Sequence, residues 1–209
     1  GWLNGADTGT IGGLTNMPDF QQRFADVYDP LTGTYSFSPV LNGLIVGFVN
    51  IGAFLGCILS SPLAEKYGRK VSIQVWSIVY LLGIVIQMAA VTSWVHVTIA
   101  RVITGLGIGA LSVLVPSYQS ETSPAKLRGI IVTTYQFFLT LGILIGYLVV
   151  YATHDIAGSA SWRIPIAINL AWGVFLFSGM LFLPESPRHL IKIGDYETCR
   201  RVMADVNGV

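Results

Sequence analysis

The sequence predicts an all-α bundle of membrane-spanning helices, and three observations carry that prediction. Charge is scarce: 11% of the 209 residues are charged and 53% are hydrophobic, where a soluble domain carries about 25% charged residues. Mean hydropathy is +0.64. Apolar runs long enough to cross a bilayer, about 20 residues, recur along the whole chain. The Lys and Arg residues fall into alternate loops, as expected when one side of a bundle is cytoplasmic.

Taken in order, the predicted spans are about 1–16, 40–62, 71–91, 97–116, 129–151 and 164–183. The first is short and interrupted by Asp7, and the chain opens on Gly1 with no initiator Met, so it is expected to begin inside a helix of a longer protein. Residues 17–39 read as a long polar loop, with Asp19, Asp26 and Asp29 and the turn residues Pro30 and Gly33. Residues 61–70 read as a short basic loop, 92–96 as a tight uncharged turn beginning at Thr92, 117–128 as a polar link, and 154–163 as a Gly- and Ser-containing loop. The bundle is expected to occupy 1–183. Residues 184–209 form a charged, helically patterned segment that begins a cytoplasmic linker.

Lys66, Arg69, Lys70, Lys126, Arg128, Arg188, Lys192, Arg200 and Arg201 lie in one set of loops, and only Arg23 and Arg163 in the other. The basic side should be cytoplasmic, which makes the first helix run outward. Many spans carry Gly: Gly43, Gly47, Gly52 and Gly56 in one, Gly105, Gly107 and Gly109 in another, Gly142 and Gly146 in a third. Small residues let membrane helices approach closely, so a packed bundle is expected rather than separate anchors.

The composition also excludes classes. One short apolar run at the N-terminus would suggest a signal peptide, but here the runs recur throughout. A net charge of +1 points to neither nucleic acid nor an acidic partner. Cys57 and Cys199 lie at different depths and lack metal or redox spacing, so free thiols are expected. The GLGIG string at 105–109 sits inside an apolar span without a preceding strand, which rules against a dinucleotide loop. The sequence carries no metal-ligand spacing and no catalytic constellation, so neither an enzyme nor a metal site is expected.

Two ionisable residues interrupt apolar spans, Asp7 and Arg101. Each would cost on the order of 2.5–3.5 kcal/mol at the bilayer centre, so such residues usually face the bundle interior in pairs. Both fall in the outer half, at depths that allow them to meet. A proton-titratable carboxylate held by a guanidinium and a static structural pair are equally compatible with the residues. Gln136 interrupts the fifth apolar run with an amide that suits a sugar hydroxyl or an interhelical hydrogen bond. At the cytoplasmic side, acids stand beside bases in three places: Glu65 with Lys66, Arg69 and Lys70, Glu121 with Arg128, and Glu185 with Arg188. That allows an ion-pair network that breaks during a conformational cycle.

Several stretches give the chain a family likeness: GADTGTIGG at 5–13, EKYGRK at 65–70, RVITGLGIG at 101–109 leading into PSYQSETSPAKLRG at 116–129, Trp162 with Arg163, and PESPR at 184–188. In this order and spacing they resemble the sugar porters of the major facilitator superfamily, particularly the fungal hexose transporters. The resemblance implies one six-helix half, made of 3+3 inverted repeats, of a twelve-helix fold. A monosaccharide would bind between that half and the missing C-terminal half, with the bilayer as solvent. It implies that Gln136, Thr8, Leu139 and Ile143 line the sugar cavity, with Asn4 standing where an aromatic is usual. It implies that Asp7 and Arg101 couple proton to sugar in symporting members, and that Glu65, Arg69, Glu121, Arg128, Glu185 and Arg188 form the cytoplasmic latch. Glu65 replaces the usual Asp, keeping the charge on a longer arm. The expected activity is transport of a hexose, glucose first and xylose second, by alternating access at the plasma membrane, as uniport or proton symport. No cofactor is implied beyond a co-transported proton. A membrane sugar sensor on the same fold is the alternative.

Overall fold

The computed structural model describes residues 1–29, 34–90, 94–124, 127–156 and 158–207. Pro30, Gly33, Thr92 and Lys126 lie outside the described residues.

Nine helices carry the described chain. They are α1 (Trp2–Leu14), α2 (Pro18–Phe24), α3 (Pro39–Tyr67), α4 (Arg69–Met88), α5 (Trp94–Thr122), α6 (Arg128–Thr153), α7 (Ala160–Phe182), α8 (Pro187–Ile193) and α9 (Tyr196–Asn207). Five of them, α3 to α7, are long and apolar enough to cross a membrane, and α1 is a short sixth member of the bundle. The all-α, multi-span expectation holds, with one small addition. Strands β1 (Val27–Asp29) and β2 (Thr34–Ser36) form an antiparallel hairpin, with Tyr28 opposite Tyr35.

The helix limits correct the sequence reading at the ends. The basic stretch 61–70 is not a loop: α3 runs through Pro62 to Tyr67, α4 starts at Arg69, and Gly68 alone joins them. Its φ of +95° is open to glycine and disfavoured for other residues. Hydropathy stops at the membrane surface, whereas backbone hydrogen bonding continues into water. Likewise α5 begins at Trp94, inside the predicted turn, and passes Pro116 to Thr122. The loop at 17–39 also holds more structure than its polarity suggested. Pro18 opens α2, where its missing N–H costs nothing, and Phe20 and Phe24 plug the outer end of the bundle. Ser38 caps α3, its Oγ accepting from the Leu41 N–H at 3.3 Å.

Helix α5 is the most enclosed of the five long helices, and α3 and α6 are the least. One core cluster gathers Leu14, Phe20, Ile45, Tyr80, Ile84, Trp162 and Ile166 toward the outer end. Another gathers Ile73, Trp76, Leu111, Leu114, Tyr118 and Met180 toward the inner end. Phe54, Ile58, Phe137, Leu148, Phe175 and Phe182 remain exposed. A surface this apolar suits lipid or another bundle, not water.

The bundle is built on two glycine seams. Helix α1 packs on α6, and α3 on α5. A Cβ added to Gly5 or Gly9 would overlap the carbonyl of Leu139 or Ile143, and one on Gly105 or Gly109 would overlap that of Val49 or Ala53. From the other side, Gly142 and Gly146 press on the Trp2 and Ala6 carbonyls, as Gly52 and Gly56 press on those of Val102 and Leu106. Adding 100 to the α1 numbers and subtracting 90 from the α6 numbers turns the first set of contacts into the second. The 3+3 repeat is therefore written into the packing. Gly43 and Gly47, expected as packing residues, meet nothing within 4 Å, because they lie on the open part of α3.

Candidate functional site

Among the described residues, the apolar bundle fully buries one ion pair. Asp7 lies seven residues before the end of α1, and Arg101 seven after the start of α5. At 1.5 Å per residue both sit about 10 Å below the outer ends. The Arg101 Nη1 donates to Asp7 Oδ1 at 3.2 Å and Oδ2 at 3.1 Å. Asp7 is 3% exposed and Arg101 1%. Both charges are thus desolvated and depend on each other: removing one partner of such a pair leaves the other uncompensated. The Arg101 Nε has no partner.

The expected cavity residues divide between two surfaces. Thr8 and Gly12 are exposed along one face of α1, and Gln136, Thr140 and Tyr147 along the neighbouring face of α6. The Tyr147 hydroxyl reaches Gly12, so the two stripes form one open, partly polar groove. Thr8 spends its hydroxyl hydrogen on the Asn4 carbonyl, at 2.9 Å. Leu139 and Ile143 are half-buried at the seam beside this groove, and their carbonyls touch Gly5 and Gly9. Asn4 turns elsewhere. Its amide donates to Ser112 Oγ at 3.3 Å, and it lines an apolar cavity of about 280 Å³ with Trp2, Ile108, Tyr135, Phe138 and Trp172. Among the described residues, Gln136 and Thr8 do not line that cavity.

At the basic ends of the helices, Arg69, Glu121 and Glu185 are brought together. Arg69 donates through Nη2 to Glu121 Oε1 at 3.3 Å and through Nη1 to the Ala64 carbonyl at 2.9 Å. Glu185 Oε1 accepts from the Arg69 N–H at 2.9 Å, the Lys70 N–H at 3.0 Å and the Ser186 N–H at 2.9 Å. It thereby caps α4 from outside the helix, where a negative charge opposes the helix dipole. Ser186 Oγ donates to Glu121 Oε2, and the Tyr118 hydroxyl donates to the Pro184 carbonyl at 2.7 Å. A Cβ at residue 68 would overlap the Glu185 carboxylate, a second reason for glycine there. Glu65 and Arg188 line a cavity of about 300 Å³ together with Arg69. Arg128 is exposed at the start of α6 and makes no ion pair among the described residues. Cys57 and Cys199 are free thiols.

Sequence reasoning missed several polar residues. Gln87 and Tyr80 of α4 are 1% and 0% exposed, and Asn169 of α7, 2% exposed, donates to Thr10 Oγ1 at 3.4 Å. An amide inside an apolar run was the available signal, the same one that picked out Gln136. Ser112 and Ser186 had no such signal, because serine is common in membrane helices and turns.

Comparison with known proteins gives this geometry a lineage. The family described as "Sugar (and other) transporter" matches residues 1–209. A high-affinity fructose transporter of Schizosaccharomyces pombe is 54% identical over 97% of this chain, and a high-affinity glucose transporter of the same yeast 55% identical over 99%. A high-affinity gluconate transporter of that yeast is 46% identical over 99% of the chain. The chain spans 38% of the length of the fructose and glucose transporters and 37% of the gluconate transporter. Among solved structures, a partially occluded inward-open xylose transporter from E. coli shares the fold, with TM-score 0.79 at 22% identity over 99% of this chain and 52% of that one. With the whole chain matched by its model, this protein belongs to the family of sugar and other transporters.

Proposed function

We propose that this chain is the N-terminal half of a hexose carrier that works by alternating access, with glucose the first substrate and xylose the second. The observation that carries this reading is the groove on α1 and α6. Thr8, Thr140 and Gln136 face outward beside a buried ion pair, and α6 is one of the two least enclosed long helices. A second six-helix half laid over that groove would close a polar passage near the midplane, where carriers of this type hold substrate. Gln136 supplies donors and an acceptor for sugar hydroxyls, and Leu139 and Ile143 supply the apolar flank. Residues 1–183 would be the transmembrane half, and 184–209 the start of the cytoplasmic linker. The basic ends face the cytoplasm of a plasma-membrane protein.

Asp7 gives the reading its energetic form. If it takes a proton from outside, the Arg101 pair loosens and the carrier works as a symporter. Each proton then contributes about 2.3 kcal/mol per 100 mV of membrane potential. If Asp7 stays ionised throughout, the same pair is a strut in a uniporter. The cytoplasmic cluster of Arg69, Glu121 and Glu185 is the latch that must break for inward opening; Arg188, Glu65 and Arg128 are its proposed outer members.

The test is uptake of radiolabelled glucose by the full-length protein in yeast lacking its own hexose carriers. Saturable uptake is expected, and Asp7→Asn should abolish proton-driven accumulation while leaving sugar exchange. Binding without uptake would instead make the protein a sugar sensor. Equal loss of both activities in Asp7→Asn would refute coupling. The gluconate-transporting relative supports one further reading, an organic-acid carrier on the same scaffold. Competition of labelled glucose by gluconate separates the two.

A further inference from the structure

The ion pair is unsatisfied on one side. Arg101 reaches Asp7 through a single nitrogen, and its buried Nε has no acceptor. Two α4 side chains are unsatisfied as well: the Tyr80 hydroxyl, and both the oxygen and the nitrogen of the Gln87 amide. Buried polar atoms are nearly always paired, so a cluster of orphans calls for an explanation.

The packing of α4 on α5 places these orphans along one buried helix interface. Gly83 abuts Thr104 and Gly107 abuts Tyr80, which fixes an antiparallel register. One turn further along, that register sets Gln87 opposite Ala100, beside Arg101. Tyr80 stands opposite Gly107 on the same interface, two turns further in. Among the described residues packed around this interface, α7 contributes Ile166 and Gly173 and α2 contributes Phe20 and Phe24, none of them ionisable. Toward the outer end, Asp19 pairs with Arg23, and Arg163 stacks over Trp162.

We infer that Gln87, assisted by Tyr80, is a second seat for the Arg101 guanidinium. When Asp7 takes up a proton it ceases to be an anion and its hold on Arg101 weakens. The guanidinium then turns toward α4 and donates to the Gln87 amide oxygen and the Tyr80 hydroxyl oxygen. The buried cation is never left without an acceptor, and the turn moves α5 relative to α1. Gln87 and Tyr80 are positioning residues, acting on transport through Arg101. The inference rests on the proton-coupled form of the reading above.

The experiment uses the full-length transporter and a double-mutant cycle. Asp7→Asn imitates the protonated carboxyl. Joined with Gln87→Leu, it should reduce sugar exchange at least tenfold beyond the product of the single effects, or prevent folding. Asp7→Asn with Gln87→Glu moves the negative charge to the second seat and, unlike the pairing with Gln87→Leu, should keep sugar exchange and thermal stability near those of the wild type. In the single variant Gln87→Leu the protonated state loses its seat, so the pH midpoint of uptake should fall, by about one unit. Tyr80→Phe should shift it in the same direction by less. Additive losses, no rescue by Gln87→Glu and an unmoved midpoint would overturn the inference while leaving a proton-driven wild type intact. A wild type whose uptake ignores the proton gradient would overturn both the coupling and the second seat, and that outcome is read before any variant is made.

Discussion

The two glycine seams of this bundle share one backbone solution and differ in chemistry. Along α1 and α6, and again along α3 and α5, glycines press on facing carbonyls in the same order. Yet Asp7, Thr8 and Thr10 stand where α5 has Gly107, Ile108 and Ala110, and Gln136 stands where α3 has Val46. One seam holds the polar groove and the other holds apolar packing. Close approach of helices in lipid needs only small residues at the contact. The remaining faces of each helix are then free to diverge, and here the first seam has taken the polar work.

The largest expected effect comes from breaking the ion pair that joins α1 of the first seam to α5 of the second. Arg101→Leu leaves Asp7 as a buried anion with no counter-charge, which costs about 3–5 kcal/mol. A large fall in melting temperature in detergent should report it. Arg101→Leu combined with Asp7→Leu should recover most of the loss, because two apolar side chains need no partner. Persistent loss in the double variant would mean that the pair also shapes the fold.

Next come the seams themselves. Gly5→Ala and Gly105→Ala are equivalent in the repeat, and each forces a Cβ into a carbonyl. Each should cost about 1–3 kcal/mol. Gly47→Ala, on open surface, should be neutral or slightly stabilising, since alanine favours helix by about 1 kcal/mol. Thermal melts of the three variants check this. If Gly5→Ala is tolerated and Gly105→Ala is not, the two seams are not mechanically equal.

A smaller effect is expected at the groove. Gln136→Leu removes one neutral hydrogen-bonding group from the proposed sugar path, worth about 0.5–1.5 kcal/mol. The KM for glucose should rise up to about tenfold, with melting temperature nearly unchanged because Gln136 is exposed in this half. Val46→Gln, at the matching place on the other seam, should not alter KM if the groove alone handles sugar.

Much of this was legible in the sequence, and what was hidden has a physical reason. The five long spans were visible because lipid demands continuous apolar runs. The pairing of Asp7 with Arg101 was visible because lone charges there are so costly. Helix ends were not, since α3 and α5 continue past the apolar runs into charged or proline-containing sequence that hydropathy reads as loop. Helix α2 was missed although its Pro18 start and its Phe20 and Phe24 one turn apart were present; its polar residues outvoted them. Asn4 was expected beside Gln136, but its amide instead meets Ser112 across the bundle. Such a contact depends on helix rotation, which spacing alone does not fix.

The smallest effect separates the connections rather than the seams. The link from α1 to α3 carries a helix and a hairpin, whereas α5 joins α6 through a few residues. In the long link, the exposed Asp26 carboxylate accepts from the Ser38 N–H at 2.9 Å, and that bond lowers its pKa. A depressed folded-state pKa stabilises above the unfolded value, about 3.9. The contribution is lost as pH falls through the lower folded value. Amide protection at the start of α3, corrected for intrinsic exchange, should therefore hold at pH 6 and weaken near pH 3 in the wild type. In Asp26→Ala it should start lower and lose this pH dependence. An identical pH response in the variant would show that α3 is held at its outer end by the Ser38 cap and the Phe20 plug, with no help from the carboxylate.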